Sequence, residues 1–101
     1  DFCYIIDKDR LPLKTFALVT EPSGGRSLSI STTLPAVQFY TGNNLAAITG
    51  KSGSIYDKYA GFCLETEMYP DSPNKQNFPS CILLPGMPWE HETVYKFSLQ
   101  C

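Results

Sequence analysis

GFCLETEMYPD, residues Gly61 to Asp71, is the stretch of sequence that decides the fold class of this chain. Its side chains alternate with a period of two, which is typical of a β-strand with one covered face. Glu65 therefore lies in mid-strand, on the more polar of the two faces. The alternation places Phe62, Leu64, Thr66 and Met68 on one face, and Cys63, Glu65, Glu67 and Tyr69 on the other.

Glu65 is open to two interpretations. The simpler one is a solvated carboxylate on the outer face of a strand. In the other, the bulky neighbours partly bury the side chain, and a partly buried carboxylate binds a proton more tightly, which makes it a better general base near neutral pH.

Alternating or apolar runs recur along the rest of the chain, each bounded by turn-forming residues. Pro22-Ser23-Gly24-Gly25 has the composition of a tight turn and predicts a hairpin, whereas residues 43–59 have no sustained period and indicate a long connection. No segment has a convincing helical period, so we predict an all-β, antiparallel sandwich. The predicted strands are Phe2 to Ile6, Lys14 to Thr20, Arg26 to Thr33, Ala36 to Thr41, Gly61 to Tyr69, Cys81 to Leu84 and Thr93 to Leu99.

Length and charge limit the classes of function. The chain has 101 residues and a formal net charge of −2, with no basic cluster or stripe, so nucleic acid and anionic membranes are not expected partners. No apolar run approaches the ~20 residues of a membrane span, and the first residues lack the features of a signal peptide. We expect a cytoplasmic protein. Because the sequence begins at Asp1 rather than at Met, we also expect it to be a piece of something longer.

The cysteines do not predict a metal site or a catalytic thiol. Cys3, Cys63, Cys81 and Cys101 contain no CxxC spacing, and His91 is the single histidine of the sequence. We therefore expect no metal, and reduced thiols that act as small buried hydrophobic groups.

Three segments in order resemble the C-terminal part of the aldose 1-epimerase (galactose mutarotase) family. They are PAVQFYTGN at Pro35 to Asn43, GFCLETEMYPD at Gly61 to Asp71, and Asn74 to Lys96, which contains QNFPSCILLPG and ends in HETVYKF. The family protein is roughly three times as long. The resemblance therefore implies that residues 1–101 are the C-terminal segment of one large β-sandwich domain, with the N-terminal two thirds absent. It also implies an exposed sheet edge, or a companion chain that carries the missing part.

The resemblance implies an isomerase that interconverts the α and β anomers of galactose or glucose by acid–base ring opening and closure, without a cofactor. Glu65 matches the family's general base, and Gln38 matches a glutamine that hydrogen-bonds the sugar. Asp1, in Asp1-Phe2-Cys3-Tyr4, matches an aspartate that binds sugar hydroxyls, although the histidine that follows it in the family is replaced here. The family's general acid is a histidine from the earlier, absent part, and His91 does not match it.

Two questions stay open at this point. Glu67 stands where the family often has glutamine, so this carboxylate either influences the site or points into solvent. The isolated chain, which lacks the general acid, is expected to be inactive. A non-catalytic carbohydrate-binding or interaction fragment is therefore the alternative to the isomerase.

Overall fold

A computed structural model gives the structure of the chain and describes residues 1–7 and 12–99. Within these ranges the chain forms strands and two short 3-10 turns, at Lys51–Gly53 and Ser72–Asn74, which confirms the predicted all-β class. None of the described helical turns is long and apolar enough to cross a lipid bilayer. The strands are β1 Phe2–Ile5, β2 Lys14–Thr20, β3 Arg26–Thr32, β4 Ala36–Tyr40, β5 Ile48–Thr49, β6 Ile55–Tyr56, β7 Cys63–Glu67 and β8 Thr93–Leu99.

Six of these strands form two antiparallel sheets of three strands each. The first sheet has the order β1-β4-β7 and the second has the order β2-β3-β8. The predicted hairpin is confirmed as β2 and β3, which pair with an irregularity between Thr15 and Ala17. The two-residue strands β5 and β6 pair with each other inside the predicted long connection, which is therefore partly structured.

The two sheets meet through a small polar and apolar core. Thr93 of β8 shares hydrogen bonds with Thr32 of β3, at 3.0 Å between the hydroxyl oxygens, and with Thr66 of β7, at 2.9 Å. The Tyr95 hydroxyl donates across to the Leu64 carbonyl at 3.3 Å. These contacts tie β8 to β7 and hold the first sheet against the second. The buried apolar residues are Ile6, Ile30, Leu34, Ala36 and Val37.

Two sequence predictions are wrong. Cys81 to Leu84 is not a strand: the segment is exposed, and it joins no sheet in the described part of the chain. An apolar run becomes a strand only where a neighbouring edge accepts its hydrogen bonds. The described cysteines Cys3, Cys63 and Cys81 are free, but they are exposed rather than buried. Cys101 lies outside the described residues.

Gly42 allows the chain at the start of β7 to come close to the end of β4. It follows β4 with a φ of +70°, and a Cβ added to it would lie 2.7 Å from the carbonyl oxygen of Gly61, just before β7. Both the left-handed backbone and the close contact favour glycine. The Leu45 and Tyr59 amides also donate to the Gly42 carbonyl, each at 3.1 Å, which fixes the loop that begins there.

Glu21 organises the turn between β2 and β3. Its carboxylate accepts hydrogen bonds from the Ser23 hydroxyl, from the Ser23 amide at 2.8 Å and from the Gly24 amide at 2.7 Å. Arg26 adds an ion pair at 3.3 Å. The Ser23 hydroxyl and amide, followed by the Gly24 amide and Arg26, lower the pKa of the Glu21 carboxyl to about 2.

We expect Gly42→Ala to destabilise the protein more than Gly53→Ala. Gly53 also has a positive φ, of +76°, but a Cβ added there would have no atom within 4 Å, so its substitution costs only backbone conformation. We expect a loss of about 2–3 kcal/mol in the free energy of unfolding for Gly42→Ala and about 1 kcal/mol for Gly53→Ala. Urea unfolding of both variants measures the difference, and equal losses would show that the Gly61 contact does not matter.

Glu21 predicts an acid-dependent loss of stability. Because folding lowers its pKa from 4.5 to about 2, the folded state favours the charged form, and this contribution is complete above pH 4.5. It declines as the pH falls from 4.5 towards 2. We expect Glu21→Gln to lower stability at neutral pH and to remove this part of the pH dependence. Unfolding midpoints of the wild type and the variant, recorded between pH 4.5 and 2, test this prediction. If the midpoint of Glu21→Gln falls with decreasing pH as steeply as that of the wild type, the prediction is contradicted.

Candidate functional site

The register of the first sheet brings three side chains abreast on one face. Gln38 of β4 lies directly opposite Cys3 of β1 on one side and directly opposite Glu65 of β7 on the other. Directly opposite residues have Cβ atoms about 4.5–5.5 Å apart. Gln38 and Glu65, which are distant in sequence, are therefore neighbours. We call the surface that carries Cys3, Gln38, Glu65 and Glu67 the polar face of the first sheet.

Asp1 joins the same group through a hydrogen bond. The amide nitrogen of Gln38 donates to Oδ1 of Asp1, which precedes β1 by one residue. The Gln38 amide also has a second N–H and a carbonyl oxygen, so it has further capacity both to donate and to accept. The three residues singled out from the sequence, Asp1, Gln38 and Glu65, are therefore brought together.

The exposures of these residues differ. Asp1 and Glu65 are exposed, and Gln38 is half-buried. The partial burial that one interpretation of Glu65 required is not found among the described residues. What distinguishes Glu65 from an ordinary solvated strand glutamate is its place beside Gln38.

Glu67 and Cys3 extend the polar face. Glu67 is half-buried rather than turned fully into solvent, and it lies opposite Ala36 in the register. Cys3 is exposed as a residue, yet partial burial of its thiol raises the thiol pKa, and the negative charge of the nearby Glu67 raises it further. The thiol therefore stays protonated beside the carboxylate.

Tyr40 is a residue of this face that sequence reasoning missed. It follows Gln38 by two positions on β4, lies opposite Cys63 and is half-buried. Its hydroxyl accepts a hydrogen bond from the Asn44 amide at 3.3 Å. The period of two that places Glu65 on this face, applied to β4, also predicts that Tyr40 shares the face with Gln38.

His91 and Tyr69 take structural roles. Nδ1 of His91 is hydrogen-bonded to the Thr33 hydroxyl at 3.1 Å, and its ring packs edge-on against Trp89 with centroids 4.7 Å apart. Tyr69 packs edge-on against Phe78, with centroids 5.2 Å apart. Residues 1–7 and 12–99 contain no group of three or more His, Cys, Asp or Glu side chains placed to hold a metal ion.

The arrangement suits a neutral, hydroxyl-rich ligand. A carboxylate at Glu65 can accept a proton, while the Gln38 amide and the Asp1 carboxylate offer hydrogen bonds of both polarities. Two carboxylates and an amide in one sheet face, with a third carboxylate at Glu67, disfavour an anionic ligand.

The chain matches the aldose 1-epimerase family model over residues 1–96. It belongs to the aldose 1-epimerase family. Galactose mutarotase from Rattus norvegicus is 45% identical over 100 residues, which cover 98% of this chain and 28% of the rat protein. Galactose mutarotase from Homo sapiens is 48% identical over 84 residues, covering 82% of this chain and 25% of the human protein.

The similarity extends to bacterial relatives. Aldose 1-epimerase from Escherichia coli strain K12 is 40% identical over 72 residues, which cover 69% of this chain and 21% of that protein. The matched part of the chain spans between about a fifth and little more than a quarter of the length of these curated relatives. The resemblance read from the three sequence segments is confirmed at the level of the family.

Proposed function

We propose that the protein to which these residues contribute is an aldose 1-epimerase that interconverts the α and β anomers of galactose or glucose, as part of the metabolism of free hexoses. The observation that carries the proposal is the pairing of Gln38 directly opposite Glu65, with Asp1 hydrogen-bonded to Gln38. The names of the relatives, galactose mutarotase and aldose 1-epimerase, support the same reaction.

In this proposal Glu65 is the general base. It takes the proton of the C1 hydroxyl as a general acid protonates the ring oxygen and the bond between C1 and O5 breaks. Rotation about the C1–C2 bond and the reverse proton transfers then close the other anomer. Positioned acid and base groups each contribute about 10²- to 10⁴-fold in rate, so proton transfers alone account for substantial catalysis.

Gln38 and Asp1 hold the sugar in this proposal. The amide of Gln38 donates to one hydroxyl oxygen and accepts from another hydroxyl, and Asp1 accepts from a hydroxyl while it fixes the orientation of the amide. An exposed Glu65 is consistent with this role, because the base must reach a substrate that arrives from solvent. The general acid is a group outside these residues.

We also propose that residues 1–101 are the C-terminal segment of a single β-sandwich domain whose remaining strands come from the rest of the same protein, joined to them or held as a companion chain. The second sheet supports this proposal. Phe97 and Leu99 lie on the face of β8 that also carries Tyr95, yet they are 75% and 73% exposed. Covering a large apolar side chain stabilises a fold by about 1.5–3 kcal/mol, so this face favours a further layer.

An apolar cleft between the two sheets supports the same proposal. It has a volume of about 460 Å³ and opens to solvent, and residues from β1, β2, β4 and β7 line it, among them Tyr4, Phe16, Val37, Phe39 and Leu64. In the described part of the chain, β1, β7, β2 and β8 each have one edge that pairs with no other strand. Unpaired edges are sites where further strands add.

We also propose that the protein is cytoplasmic. Cys3, Cys63 and Cys81 are free and exposed, and exposed free thiols are characteristic of reducing compartments. The alternative, a non-catalytic carbohydrate-binding or interaction fragment, shares the polar face but predicts binding of sugar without turnover.

We expect Glu65→Gln in the complete protein to lower kcat for galactose mutarotation by about 10²- to 10⁴-fold, because the change keeps the volume and removes the base. The matched control is Glu90→Gln, which alters an exposed glutamate outside the polar face. Polarimetry on both variants, with circular dichroism to verify folding, makes the measurement. Near-normal turnover in Glu65→Gln would exclude Glu65 as the base.

We expect the purified protein to contain more than these residues. Native mass measurement, repeated after denaturation, should find either one longer polypeptide or a second polypeptide that is released on unfolding. A lone, folded species near 11.3 kDa would contradict the shared domain and would favour the non-catalytic fragment.

A further inference from the structure

We propose that Glu67 is a further substrate-binding residue, whose carboxylate accepts a hydrogen bond from a hydroxyl of the bound sugar. This inference rests on the proposed function, because it places the sugar on the polar face. It adds a contact that determines which hydroxyls the site requires.

The position of Glu67 is the first support. It follows Glu65 by two residues on β7 and therefore shares its face, about 7 Å further along the strand. Its neighbour across the sheet is Ala36, which has only a methyl side chain and is completely buried. The methyl group of Ala36 offers the Glu67 carboxylate no polar partner directly across the sheet.

An unpaired oxygen is the second support. Oε1 of Glu67 is buried, and it has no hydrogen-bond partner among the described residues. Leaving a buried acceptor unpaired is costly, and more so when the group carries charge, so native structures satisfy nearly all such atoms. The carboxylate is thus an acceptor that favours a donor from outside these residues.

Cys3 does not remove this requirement. Its thiol is a weak donor, and it stays protonated beside the carboxylate because burial and the negative charge of Glu67 raise its pKa. The Gln38 amide donates to Asp1 and makes no hydrogen bond to Oε1 of Glu67. A sugar hydroxyl is a stronger donor than a thiol, and the proposed function delivers several hydroxyls to this face.

A carboxylate at this position also favours particular sugars. An ionised carboxylate accepts hydrogen bonds but cannot donate one, so it stabilises a bound hydroxyl and does not stabilise a C–H group in the same place. A site that is built to bond a hydroxyl discriminates strongly against the analogue that lacks it. The hydroxyl that Glu67 binds should therefore be a determinant of which hexoses bind.

The test is the equilibrium binding of galactose and of its 2-, 3-, 4- and 6-deoxy analogues to the complete protein. We compare the wild type with Glu67→Leu, which removes the acceptor at similar volume, and with Glu67→Gln, which keeps one. Glu90→Leu is the matched control. Glu67→Leu should raise the Kd for galactose about 10- to 100-fold, and Glu67→Gln by only about threefold, because its amide oxygen still accepts.

The decisive result is a coupling to one hydroxyl. One deoxy analogue should bind wild type and Glu67→Leu with nearly the same Kd, while the other analogues keep the full difference. A structural role for Glu67, including one satisfied by a donor from elsewhere in the protein, would weaken all the sugars alike. A uniform loss, or no loss, overturns the inference. If Glu67→Leu does not fold, Glu67→Asp, which withdraws the carboxylate by one methylene, is read by the same criterion.

Failure of this inference is distinguishable from failure of the proposed function. A uniform Kd change in Glu67→Leu, together with lost turnover in Glu65→Gln, overturns the role of Glu67 alone. Coupling to one hydroxyl, together with retained turnover in Glu65→Gln, supports Glu67 and removes Glu65 as the base. If the wild type binds none of these sugars, both proposals fall.

Discussion

The antiparallel pairing of β4 with both β1 and β7 is the constraint on which the candidate site depends. Because β4 is central, each of its residues faces one residue on either side, and Gln38 faces Cys3 and Glu65. A slip of one residue in either ladder would turn the side chains of that strand to the opposite face and separate the group. The close approach of Gly42 to Gly61 and the contacts of Thr66 and Leu64 with β8 hold β7 in this register.

The two faces of the first sheet therefore have different roles. One face packs towards the second sheet through apolar residues and a chain of threonine hydroxyls, which satisfies buried polar groups at the point where the layers meet. The other face carries carboxylates and an amide. A strand of period two supplies both at once, so the residues that stabilise the layer also fix the backbone beneath the site. The backbone beneath the candidate site is therefore held by packing on the opposite face of the sheet.

For the proposed reaction, the polar face has a general base but no general acid among the described residues. It contains an acceptor of protons and several hydrogen-bonding groups, while His91 is engaged with Thr33 and Trp89 in a different role. Apolar surface is also left uncovered, in the open cleft and on the exposed face of β8. The proposed larger sandwich accounts for both, because in it other strands cover the apolar surface and another group supplies the acid.

The sequence by itself determined which segments extend and which side chains share a face. The bounds of β2 and β8 were predicted to the residue, and the alternation around Glu65 is the one observed, because a period of two is a local property of the chain. The tertiary structure alone decided that Gln38 lies opposite Glu65, and that Glu65 is exposed while Glu67 is half-buried. It also decided that residues 81–84 pair with no strand in the described part of the chain. Pairing and burial depend on which distant segment becomes a neighbour. The side-chain period of a strand does not show which other strand it pairs with.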